Sequence, residues 1–188
     1  MKKQVFRTMS WVAVAAIFAL PLMSLPGAVE MFLKIDDIKG EAQNKNHKDE
    51  IDVLAWNWGM TQSGTTHVGA GGGAGKVNVQ DLVVTKWIDK ASPHLMLRCA
   101  NGKRIPEAKL TVTKTFKDSV VDDYFVITLK DVLVKGVETG MNATDTGMTE
   151  KVKLNFAWFQ IEYNVLRTDG SSEGKTQMEW SVLENTGG

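Results

Sequence analysis

Gly69, Gly71, Gly72, Gly73 and Gly75 crowd into one stretch that runs directly into Lys76. That is the composition of a loop whose backbone amides cradle phosphates while a lysine reaches the outer ones. The spacing refuses this chemistry. A phosphate loop needs a glycine five residues before Gly75, where the chain has Ala70, and a hydroxyl after the lysine, where it has Val77. The other reactive side chains are as poorly placed. His47, His67 and His94 stand at no ligand spacing to one another, to Cys99 or to a recurring carboxylate pair, so they read as surface histidines and no metal site is expected. Ser63-Gly64 lacks the upstream glycine of a nucleophile elbow, because that position is Thr61. Cys99, the only cysteine, lies among Leu95, Met96 and Leu97 and reads as a buried, inert thiol. Asp36-Asp37 and Asp122-Asp123 are adjacent pairs, and adjacent strand residues point to opposite faces, so neither converges as an acid and base. Asn142-Ala143-Thr144 matches a glycosylation acceptor, a triplet short enough to arise by chance. No catalytic constellation and no cofactor site follow from these residues. The chain reads as an assembly or binding module, not an enzyme.

The elements that carry these residues are mostly strands. Met31 to Ile38 alternates apolar and polar and ends at Lys39-Gly40. Glu50 to Met60 is a second alternating run, with Ile51, Val53, Ala55 and Asn57 expected on one face and Leu54, Trp56 and Trp58 on the other. The tryptophans are thereby assigned to the core and Asn57 is turned away from them. Lys76 to Thr85 is a third strand beyond the glycine loop. Ser92-Pro93 predicts a helix start, with Ser92 as cap, and Asn101-Gly102 its end. Lys109 to Thr115, Asp123 to Val134, the aromatic run Lys151 to Val165 with Phe156, and Gln177 to Val182 around Trp180 complete the strands, and Phe156 and Trp180 join the expected core. Many short strands with one helix indicate a mainly β fold, a sandwich or small barrel. Compact domains favour connections of about 4 to 6 residues, so a loop as long as the glycine segment points to function, with glycine supplying backbone freedom and close approach.

The chain has 188 residues and equal numbers of acidic and basic side chains, 22 each. A body of about 150 residues buries about 70% of the surface of its unfolded chain and needs no disulfide. Lys2, Lys3 and Arg7 precede an apolar run from Trp11 to Leu20 and then Pro21, Pro26 and Gly27-Ala28, with no acid before Glu30. This pattern divides the chain into residues 1–28, signal-peptide-like or appended, and a slightly acidic body, 29–188. Three readings of the first segment stand: an export signal, an uncleaved anchor through residues 8–29, and an extension upstream of the true start. No cluster of Lys and Arg supports nucleic-acid binding.

The strings MFLKIDDIKGE, DEIDVLAWNWGMTQSGTTH, GKVNVQDL, KWIDKASPHLMLRCANGK, IPEAKLTVTK, ITLKDVLV and LNFAWFQIEY resemble, in collinear order, the haemolysin-coregulated protein (Hcp) family of type VI secretion systems. The resemblance implies a β-barrel of two antiparallel sheets with one short flanking helix, similar to phage tail-tube subunits. It implies homohexameric rings stacked into a tube within a contractile sheath, ejected with a spike, carrying effectors in the lumen and itself secreted after cytoplasmic assembly. By the same resemblance Asn57, between the tryptophans, faces the pore. The loop containing Gln62, Ser63, Gly64, Thr65, Thr66, His67, Gly69, Gly71, Gly72, Gly73 and Gly75 contacts neighbouring subunits or the next ring. The apolar extension before Val29 and the sparser glycines of Thr139 to Met148 depart from the family pattern. A working export signal leaves an alternative: a periplasmic or secreted Hcp-like binding protein outside the tube.

Overall fold

The computed structural model describes residues 28–64, 76–116, 119–141 and 146–188. Eleven strands and one helix follow in order: β1 (Val29–Ile35), β2 (Ile51–Asn57), β3 (Met60–Gln62), β4 (Val77–Val79), β5 (Leu82–Trp87), α1 (Ser92–Asn101), β6 (Ile105–Phe116), β7 (Ser119–Gly140), β8 (Thr149–Asn155), β9 (Trp158–Leu166), β10 (Ser172–Ser181) and β11 (Thr186–Gly187). The signal-like segment therefore lies outside the described residues, apart from Ala28.

Every strand pairing is antiparallel. Starting at β1, hydrogen bonds run to β2, β5, β8, β7 and β6 and return to β1, closing a six-stranded ring. The closing strand is β7. Its first part pairs with β6 as far as Val132, and from Leu133 it pairs with β8. The change falls beside Asp131, whose φ of 56° bends the strand, and the Arg104 guanidinium holds the Asp131 carboxylate there. Outside the ring, β9, β10 and β11 extend the sheet from the first part of β7. The outcome is the mainly β barrel of two sheets with one helix that the sequence predicts.

The core lies inside the ring. Leu33, Ile51, Leu82, Ile127 and Leu154 are fully buried, each from a different strand, and such side chains contribute about 1.5–3 kcal/mol apiece relative to exposure. α1 packs against β7 through Leu95, which is fully buried. Two glycines do work that another residue could not. A Cβ at Gly40 would stand 2.3 Å from the Glu50 carbonyl oxygen, and Gly102 takes the left-handed φ of 64° that ends α1, its N–H donating to the Arg98 carbonyl.

Several expected elements resolve differently. The Glu50–Met60 strand breaks after Asn57, and a bulge makes Leu54 an extra residue between Val53, opposite Lys86, and Ala55, opposite Thr85. Ile51 and Val53 therefore face the core, but Ala55 and Asn57 do not share their side. The run Lys76–Thr85 splits into β4 and β5, and Lys151–Val165 splits at Phe156-Ala157 into β8 and β9. Ser92 is the first residue of α1, not its cap. Ala91 holds that position without a side-chain bond, and the Ser92 hydroxyl donates instead to Glu150. Met96 and Leu97 are exposed, so the helix's apolar stripe narrows to Leu95 and half-buried Cys99.

This division predicts a contrast. Leu33→Ala lowers stability by about 2–5 kcal/mol, whereas Leu97→Ala changes it by about 0.5 kcal/mol or less. Urea unfolding of the two variants beside the parent checks both.

Candidate functional site

The bulge at Leu54 determines what the middle of β2 presents. Beyond it, Trp56 pairs with Val84, which pairs with Val152, itself opposite Val137, and this transverse row turns inward. Trp56 stacks on Phe125 with ring centroids 5.7 Å apart, and Trp58 meets Phe159 edge-on at 4.8 Å. Both tryptophans are half-buried against the core, as is Trp180, and Phe156 is buried. The rows on either side turn outward. One contains Asn57, Val83, Lys153 and Gly136, and the other Ala55, Thr85, Lys151 and Glu138. Asn57 is exposed.

This outward face is low and polar. The Lys153 stem passes over Gly136, where a Cβ would lie 3.5 Å from its Cδ, and its ammonium pairs with Glu138. The hydrogen bond and charge of Lys153, with the nearby charge of Lys151, hold the Glu138 carboxyl below the usual carboxylate range. Asp52, before the bulge, behaves oppositely: partial desolvation and then the charges of Asp89 and Glu30 raise its pKa.

At the Asn57 end of β2 the chain leaves the barrel. Met60, Thr61 and Gln62 pair with Val79, Asn78 and Val77 in a ribbon bonded to no other strand among the described residues. Two bonds fix its base: Gln80 N–H donates to the Gly59 carbonyl, and Trp58 Nε1 donates to the Gln80 carbonyl at 2.9 Å. Gln62, Ser63 and Gly64 are exposed at its far end. Thr65, Thr66, His67, Gly69, Gly71, Gly72, Gly73 and Gly75 lie outside the described residues.

The histidine expectation needs correction. His47 is buried, stacked on Phe32 with centroids 4.3 Å apart, and its Nδ1 lies 3.0 Å from the Glu50 carboxylate. The turn it occupies folds back over β1, which is why a residue in a polar stretch loses its solvent. His94 is exposed. Among the described residues no three His, Cys, Asp or Glu side chains come together as a metal set.

Sequence reading missed a buried ionic cluster. Lys86 Nζ, fully buried on β5, donates to Glu150 at 2.8 Å, Asp89 at 2.7 Å and the Trp87 carbonyl at 2.7 Å, with Ser92 Oγ 3.2 Å away. Asp89 also accepts from the Ala91 N–H, joining the cluster to the first turn of α1. The signal was present in Lys86, Asp89 and Ser92 at intervals of three, but Glu150 is brought in only by the pairing of β5 with β8. Charges removed from water at this depth hold only while paired.

Two outcomes follow. Glu150→Ala leaves buried Lys86 with Asp89 as its one remaining carboxylate partner and lowers stability by about 3–5 kcal/mol in chemical denaturation. Asp52→Asn acts the other way. Because the folded-state pKa is raised, ionised Asp52 opposes folding above that pKa, so the variant is the more stable of the two at neutral pH. The gain shrinks as pH falls through the folded pKa and vanishes below the unfolded value of 3.8, which stability measurements across that range check.

Comparison with known proteins bears on the whole of this arrangement. The family described as "Type VI secretion system effector, Hcp" matches residues 32–163. Protein hcp1 of Pseudomonas aeruginosa is 52% identical over 159 residues, a match spanning 84% of this chain and 98% of the relative. The crystal structure of Hcp1 from Salmonella typhimurium is similar with a TM-score of 0.70 at 35% identity, covering 85% of this chain and 99% of that one. A solved structure described as a type six secretion system protein reaches a TM-score of 0.79 at 26% identity, covering 86% and 100%.

Proposed function

Because the chain belongs to the Hcp family of type VI secretion system proteins, we propose that it is a structural subunit of the secretion tube, in which residues 29–188 form hexameric rings that stack and carry effectors. The observation that carries this reading is the extent of the match, which takes in 98% of the Pseudomonas relative's length. The relative offers little beyond the part shared with this chain for a separate activity to occupy. The family is a structural, secreted one, and no enzymatic role is assigned.

The geometry supports the same division of labour. Asn57 is the residue turned to the lumen, where it meets cargo. The ribbon of β3 and β4, with the glycine loop it leads into, is the contact between subunits or between rings. A two-stranded ribbon is marginal in water by itself, and a neighbouring copy supplies the missing support. Closed rings form when a head-to-tail interface returns on itself. Sheath, spike and effector proteins are the remaining partners, and the tube protein leaves the cell through the secretion system.

One observation favours a second reading. The cations and apolar run of residues 1–28 have the order of an export signal, which would make the protein a periplasmic or secreted binding module outside the tube. Release that persists when sheath contraction is blocked supports that alternative, and release that stops supports the tube.

In solution the tube reading predicts a mass about six times that of the monomer by light scattering, and rings by electron microscopy. A strictly monomeric protein at high concentration overturns it. Asn57→Trp alters effector retention while shifting stability by only about 0.5 kcal/mol, because an exposed substitution touches no core contact. Co-purification of effector and a denaturation curve read the two effects separately.

A further inference from the structure

The register that carries Asn57 carries a surface with it. Asn57, Val83 and Lys153 lie side by side across β2, β5 and β8, and one outward row along, Thr85 and Lys151 do the same beside Glu138 of β7. A pleated sheet sends every second residue to one side, and the row between these two, which contains Trp56 and Val84, packs inward. Whatever space Asn57 faces, Lys151 and Lys153 therefore face as well. Val83, Thr85 and Gly136 are small, so the lysine head groups stand over low ground.

The charge of this patch is uneven. Two lysines meet one carboxylate, since Lys153 is paired with Glu138 and Lys151 is exposed beside them. Asp81, nearer the ribbon, is already paired with Lys135 and accepts from the Asn155 amide. Asp52 is on the same outward side but further along β2, across the bulge at the Trp87 end and beside β1, so the excess is confined to the Asn57 end of the face. The neighbourhood of Asn57 thus presents one cation in excess. A cleft or channel lined by one sign of charge concentrates ligands of the other sign.

We propose that Lys151 and Lys153 form, with Asn57, a cargo-contacting patch that favours polypeptides presenting carboxylates. The proposal rests on the tube reading, in which this face is turned to the lumen and six copies repeat the excess around it. It adds what that reading lacks, a chemical preference for cargo and the residues that set it.

The test uses the full chain, with assembly scored by electron microscopy and sedimentation, and with fluorescent decaglutamate and decalysine peptides as probes. Rings of the parent protein retain decaglutamate in preference to decalysine, and the preference falls as salt shortens the reach of charge. Lys151→Gln weakens decaglutamate retention, and Lys151→Glu with Lys153→Gln lowers it by about tenfold and favours decalysine. Intact rings that hold both peptides equally, or decaglutamate retention unchanged by Lys151→Gln, overturn the charge assignment and leave the tube reading standing. A parent chain that forms no rings overturns the tube reading, and the patch proposal with it.

Discussion

The fold depends on one strand belonging to two sheets. β7 leaves β6 and joins β8 within three residues of Asp131, and that bend turns an open sheet into a ring. Six strands then have both edges satisfied by backbone hydrogen bonds, which is the most complete way to remove unpaired donors and acceptors from a β protein. The left-handed backbone at Asp131 is strained for a residue with a side chain. It is held by pairing on both sides of the bend and by the Arg104 guanidinium. Closure also creates the interior into which Leu33, Ile51, Leu82 and Leu154 point.

Much of this was legible in the sequence because alternation is a direct imprint of the pleat. Runs such as Lys151-Val152-Lys153-Leu154-Asn155 assign their own faces, and the structure has Val152 and Leu154 buried with Lys151 and Asn155 exposed. Alternation fails where the backbone inserts a residue. At Leu54 the bulge reverses the phase, so Ile51 and Val53 end up on the same side as Trp56 and Trp58. No residue is inserted between the tryptophans and Asn57, so strict alternation continues there: Trp56 and Trp58 are half-buried and Asn57 is exposed. Strand ends were less legible. The β7 run extends well past Val134, since neither Lys135 nor Gly136 favours a strand locally and the pairing with β8 keeps them in one. His47 was misread for a related reason: its burial comes from a turn closing over Phe32, a contact with no local signature.

The ionic cluster at the start of α1 shows how one long-range pairing fixes a local element. A lysine with no exposed surface is among the rarest of buried groups, and here it joins β5, the corner after it, the helix and β8 in one set of bonds. A hydrophobic equivalent could fill the same volume, often with no loss of stability. It could not dictate the direction in which α1 leaves the barrel as sharply, because apolar contacts are not directional.

The added strands outside the ring have a consequence of another kind. β11 covers β10 only at Trp180 and Ser181, so the stretch from Ser172 towards Met178 has β9 on one side and no strand on the other among the described residues. An exposed edge of this length is a template for sideways growth between copies. The edge is poorly suited to that. It carries Glu173 and Lys175 as charges, and its register slips around Gly174, whose φ is 142°. These features discourage lateral fibre formation between copies.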